Sequence, residues 1–130
     1  MKKGGNMLKN EKGFTLIEII AVLVILGILA AVAVPRYFSL MDQSRIAAAQ
    51  GAIGELKSRA SGAYAKSLLL NNGSDPGIAS VQASVSTDVG SDFSVTMSPV
   101  SNTLVFSVTS VKNNTLSANP SGTWYYPTQS

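Results

Sequence analysis

The sequence contains no cysteine and no histidine in 130 residues. Without cysteine there is no disulfide and no thiolate metal site, so any fold stands without covalent staples. Without histidine the commonest general base and the commonest metal ligand are both missing, which removes the usual residues of triad, dyad and zinc chemistry. Charge is also scarce. Charged residues make up 13% of the chain, and ten basic residues against seven acidic ones leave a net charge of +3. That excess is local: residues 1–13 carry Lys2, Lys3, Lys9 and Lys12 against Glu11, and residues 14–130 are balanced. A basic surface for nucleic acid is therefore not expected, and no nucleic-acid partner is assigned. The carboxylates outside the apolar segment are scattered, so no nucleophile–base pair can be assembled and no enzymatic activity is expected.

What the chain does have is a long apolar run. Residues 1–13 are polar and cationic, with Gly4, Gly5 and Asn6 opposing regular structure. From Phe14 to Val34 there are 21 residues, almost all Leu, Ile, Val and Ala, with Gly27 the one glycine among them. An ordinary cleaved signal peptide has a shorter apolar region of about 7–15 residues, and Ala31-Val32-Ala33 only imitates its cleavage site. As a helix rising ~1.5 Å per residue, the run covers ~31 Å, the thickness of a bilayer hydrocarbon core. The four lysines before it place the N-terminus on the cytoplasmic side and the residues after Val34 outside. One carboxylate, Glu18, lies a turn inside this segment, where a charge is costly unless it finds a partner.

Pro35 ends the apolar run but not the helix; it removes one backbone hydrogen bond and bends the axis. From Arg36 to Leu70 the pattern is amphipathic. Met41, Ala48, Ala52, Leu56, Ala60, Ala63 and Ser67 recur at three- and four-residue spacing, widened by Ile53, Tyr64 and Leu68. Asn71-Asn72-Gly73 supplies a stop. Residues 71–92 read as a loop region in which Asp75-Pro76 caps a short helical turn carrying Ile78, Val81 and Val85. Asp75, Asp88 and Asp92 are conceivable calcium ligands, but they lack the alternating spacing of a calcium loop and read as solvated carboxylates. No metal or cofactor is assigned. Beyond residue 92 the period becomes two. Phe93, Val95 and Met97 alternate with Ser94, Thr96 and Ser98, then Leu104, Phe106 and Val108 with Val105, Ser107 and Thr109, around a hairpin loop at Pro99–Thr103. Thr123-Trp124-Tyr125-Tyr126 fits a third strand or a packed tail. Trp124 reads as a packing group rather than a binding platform. The expected class is α+β, with a small antiparallel sheet burying one face on the amphipathic half of a long helix.

Lys12-Gly13-Phe14-Thr15-Leu16-Ile17-Glu18, with the apolar helix, Gly27 and Pro35 behind it, resembles the N-terminus of type IV prepilins and type II secretion pseudopilins. The likeness covers about residues 9–40. It implies a pilin-like fold in three parts: a cytoplasmic leader at 1–13, a transmembrane and filament-core helix at 14–34, and a periplasmic domain at 35–130. In that last part the helix continues to about 70, followed by the loop at 71–92 and the sheet at 93–130. It further implies that a prepilin peptidase cuts between Gly13 and Phe14, that Phe14 becomes the N-methylated terminus, and that Glu18 takes part in subunit assembly. Pro35 and Gly27 match the family's helix-kinking and helix-loosening positions. The partners it implies are other copies of the chain or other pilins, the peptidase, an assembly ATPase, an inner-membrane platform protein and membrane lipid. The location it implies is the bacterial inner membrane, with one span and a cytoplasmic N-terminus, and then a periplasmic or cell-surface filament. Physics agrees on one point: an α-amine with a pKa of about 7.7–8.0 is mostly cationic at neutral pH, and cleavage would expose one as a partner for Glu18. A Glu18–Phe14 contact between successive copies is head-to-tail, and such contacts build helical filaments when they do not close. The missing cysteines depart from the C-terminal disulfide of many type IVa pilins and leave pilus and pseudopilus both open. A membrane-anchored periplasmic binding module is the remaining alternative.

Overall fold

In a computed structural model the backbone is described for residues 3–128 and side chains for residues 15–128. The element order is α1 (Lys3–Leu70), α2 (Ile78–Ser84), β1 (Phe93–Val100), β2 (Thr103–Val111), β3 (Asn114–Thr115) and β4 (Ser121–Tyr125). This is an α+β chain with one long N-terminal helix and a small antiparallel sheet. It divides into two compact units, Met1–Leu40 and Met41–Ser130.

The first unit is helical, with Pro35 inside α1. Proline therefore does not stop the helix, as the good helix formers after it lead one to expect. Every described side chain of this unit, residues 15–40, is exposed. They are mostly apolar, and Leu16, Ile20, Leu23, Leu26, Leu29 and Val34 are each more than half exposed. By length and composition this part of α1 can cross a membrane.

The second unit is built on the rest of α1. Ala49, Ala52, Ile53, Leu56 and Ala60 are buried, following the three- and four-residue spacing of one helix face. Ala48, expected on that face, is exposed, and Ala49 is buried in its place. The buried arc runs along 49, 53, 56 and 60, and each residue turns the helix by about 100°, which carries Ala48 off it. The helix ends as a Schellman motif: Gly73 N–H donates to Leu68 O at 2.8 Å and Asn72 N–H to Leu69 O at 3.4 Å. Asn72 takes φ +54°, a left-handed conformation that asparagine tolerates better than most residues.

In the sheet, β2 is central. It pairs antiparallel with β1 on one side and with both β3 and β4 on the other. β3 and β4 act as one interrupted edge: Leu116 N–H donates to Thr109 O and Val108 N–H to Pro120 O across the gap. Leu116 is buried where the chain leaves the ladder. Between β1 and β2 the register shifts at Ser94/Val95, a bulge that leaves Thr109 opposite no residue of β1. The β1–β2 loop is shorter than the expected Pro99–Thr103. Val100 pairs with Thr103, so only Ser101 and Asn102 form the turn. Pro99 is accommodated because β1 is an edge strand, where a missing N–H breaks no ladder.

The alternation in β2 buries Leu104, Phe106 and Val108 and leaves the residues between them half-buried. One core cluster joins Leu56 and Ala60 of α1, Val81 of α2, Val85, Leu104 and Phe106 of β2, Trp124 of β4, and Tyr126. A second joins Ala49 and Ile53 to Val108, Val111 and Leu116.

Candidate functional site

The residues singled out in the sequence fall mainly in the first unit. Gly13 and Phe14 lie outside the residues whose side chains are described. Glu18 is exposed on α1, and among the described residues it has no ion-pair partner. Its neighbours Leu16, Ile17, Ile19 and Ile20 are exposed apolar side chains. A carboxylate among such apolar side chains is costly in hydrocarbon unless it finds a partner. Gly27 has nothing within 4 Å of the position a Cβ would take, so its neighbours on α1 leave room for a larger residue.

The candidate calcium ligands do not converge. Asp75 Oδ1 accepts the Tyr126 hydroxyl proton and the Gly77 N–H at 3.0 Å. Asp88 Oδ1 accepts Gly90 N–H at 3.0 Å, and Asp92 gives its carbonyl to Lys112 N–H at 2.7 Å. Among the described residues no three His, Cys, Asp or Glu side chains gather around one point. Asp75 also does not cap α2, whose N-cap is Gly77 at φ +77°. Its carboxylate instead holds the turn that leads into the helix, and the Tyr126 and Gly77 hydrogen bonds keep it below the ordinary carboxylate range. Burial and the Asp75 hydrogen bond push the Tyr126 phenol up to about 12.

Trp124 is a packing group. It is buried in the first cluster, and its indole N–H donates to Ser61 Oγ at 2.9 Å. Tyr64 packs tilted against Trp124 and edge to face with Tyr126, at centroid distances of 6.3 and 5.2 Å. Arg59 clamps the loop before the sheet, donating to the carbonyls of Ser86 and Asp88 and to Glu55 Oε1. None of these partnerships was assigned from the sequence. Apart from the Arg59–Glu55 pair, four residues apart on α1, each joins residues far apart in the chain, and only the aromatic run at 124–126 signalled that a packed cluster would form there.

The pattern of the prokaryotic N-terminal methylation motif matches residues 8–34. Similar proteins include the type II secretion system core protein G of Pseudomonas aeruginosa, 53% identical over 45 residues, which are 35% of this chain and 32% of that protein. A fimbrial protein of Pseudomonas aeruginosa is 41% identical over 56 residues, 43% of this chain and 36% of its own length. The type IV narrow pilus major component PilA5 of Thermus thermophilus is 64% identical over 33 residues, 25% of this chain and 28% of its own. The chain thus spans about a third of the length of the curated relatives it matches. No solved structure matches it. Residues 8–34, which include Glu18, thus match a methylation-motif pattern, and the chain is similar over its N-terminal part to fimbrial and type IV pilus proteins and to a type II secretion system core protein G.

Proposed function

We propose that the chain is a structural subunit of a type IV pilus or related filament, with no catalytic role. A prepilin peptidase cuts after Gly13, Phe14 is N-methylated, and mature subunits polymerise through the apolar helix. The observation that carries this reading is that every described side chain from residue 15 to 40 is exposed, on a helix bearing the methylation motif. Moving one Leu, Ile or Val side chain from water into apolar surroundings is worth about 1.5–3 kcal/mol. A surface of this kind is covered by lipid before assembly and by other copies afterwards.

Glu18 has a defined part in this scheme. After cleavage it sits near the start of the mature helix, where the Phe14 amine of the next copy can neutralise it. The chain is held by a single span in the bacterial inner membrane, its N-terminus cytoplasmic, until an assembly ATPase and a platform protein draw it into a periplasmic or surface fibre. Residues 1–13 are the removed leader, 14–34 the filament core and 35–130 the outer domain.

Mass spectrometry of the mature protein tests the reading directly. The expected N-terminus is a methylated Phe14, and a mature chain beginning elsewhere overturns it. A second reading, a pseudopilin of a type II secretion system, is favoured by the 53% identity to core protein G. It shares the same processing and differs in partners. Dependence of fibre formation on an outer-membrane secretin and secreted cargo would select it. An anchored binding module predicts an unprocessed Gly13 and a monomer in detergent.

A further inference from the structure

Just beyond the apolar run lies a short segment that neither core cluster uses. Tyr37 and Phe38 are 62% and 64% exposed, and their rings meet edge to face at 6.2 Å. Arg36 beside them is also exposed and has no ion-pair partner among the described residues. Each of these three helical residues is turned about 100° from the one before, so together they encircle much of α1 rather than forming one stripe. A one-sided protein partner is met by residues three and four apart. A collar of consecutive residues suits surroundings that are the same on all sides.

Depth points the same way. Arg36 to Phe38 lie ~3–6 Å beyond Val34 along the helix axis. A bilayer has a hydrocarbon core of about 30 Å within a total of about 40–45 Å, which leaves a polar layer of roughly 5–7 Å on each side. With the 21-residue run filling the core, the collar falls inside that layer. Its chemistry fits: a phenol and a neighbouring aromatic ring prefer the interface, and a guanidinium binds phosphate oxygens.

We infer that Arg36, Tyr37 and Phe38 form an interfacial anchor that binds phospholipid headgroups and fixes the depth of the anchored subunit on its outer side. The inference rests on the single-span reading above. The lysines before Phe14 hold the inner side, so the helix is gripped at both ends while it waits for assembly.

The lack of cysteine makes the test clean. Full-length Ser39→Cys and Gly27→Cys variants carry a fluorescent label and are reconstituted in phosphatidylethanolamine–phosphatidylglycerol vesicles. Quenching by headgroup nitroxide, mid-chain nitroxide and a water-soluble quencher is then compared. The Gly27→Cys label should respond most to the mid-chain nitroxide and the Ser39→Cys label most to the headgroup nitroxide. Adding Tyr37→Ser and Phe38→Ser to Ser39→Cys should shift that label away from headgroup depth. An unchanged label depth overturns the anchor, as does a Ser39→Cys label quenched only from water, or one shielded from all three quenchers as a protein contact would make it. If the Gly27→Cys label is reached from water, the single-span reading itself fails and the anchor falls with it.

Discussion

Gly122 of β4 lies so close to Ile53 of α1 that a Cβ on the glycine would stand 2.3 Å from Ile53 Cγ2. The Lys57 side chain is nearly as close, with Cε at 2.7 Å. Lysine can swing away, but Ile53 is buried and held by the second core cluster. Gly122→Ala must therefore push helix and strand apart, and overpacking of this kind costs about 1–3 kcal/mol. Thermal melts of the full-length protein in detergent should show a lower Tm for Gly122→Ala. Gly54→Ala gives the contrasting result. Gly54 is exposed mid-helix with open space where a Cβ would sit, so alanine should stabilise by about 0.5–1 kcal/mol. A Gly122→Ala melt equal to the unsubstituted chain's would show that the close approach does not exist.

The hydrogen bond between Trp124 and Ser61 makes a second prediction. Ser61→Ala removes the acceptor of the Trp124 indole N–H at a part-buried site, and losing such a hydrogen bond costs about 0.5–1.5 kcal/mol. Trp124 is the single tryptophan, so its fluorescence reports this site alone. Ser61→Ala should lower Tm and change the emission maximum, whereas Ser58→Ala, on the exposed side of the helix, should do neither.

The Asp75–Tyr126 pair ties the turn after α1 to the end of the sheet, and its titration gives the chain two pH limits. Tyr126 has its folded pKa raised to about 12, above the ordinary 10. Its contribution is complete below pH 10 and is lost as pH rises through about 12. Asp75 has its folded pKa lowered from 3.8, so its contribution is present above that value and is lost as pH falls through the lowered one. An ultraviolet titration should show one tyrosine ionising near pH 12, and Tyr126→Phe should remove that step. The same variant should weaken the acid limit, because Asp75 then loses the larger of its two stabilising hydrogen bonds.

These contacts show where sequence patterns stop being informative. The long helix was legible because apolar composition and spacing are local properties, and so were the β1–β2 pair and the stop at Asn72. β3 was not. It follows a turn in which Lys112 and Asn113 take φ +50° and +61°, a primed turn made without the glycine that usually marks one. The Gly122 approach and the Ser61 and Asp75 partnerships join segments about 50 to 70 residues apart along the chain, and a period in one segment carries no information about the other. In the candidate site the reverse holds. The motif at 8–34 is a short contiguous stretch, so it was readable from composition and spacing, while the partner proposed for Glu18 lies on another copy.

That partner can be tested by removing the charge alone. Glu18→Gln keeps the size of the side chain and leaves the second unit's core untouched, since every described residue from 15 to 40 is exposed and outside both clusters. Membrane insertion should be at least as favourable, because a neutral amide is less costly than a carboxylate in hydrocarbon. Cleavage between Gly13 and Phe14 should also continue, because it precedes the free Phe14 amine that Glu18 is proposed to meet. What should fall is the yield of sheared filaments, with mature, methylated subunits accumulating in the membrane. Normal filament yield from Glu18→Gln would remove the Glu18–Phe14 pairing from the assembly scheme while leaving the processing of Gly13 and Phe14 intact.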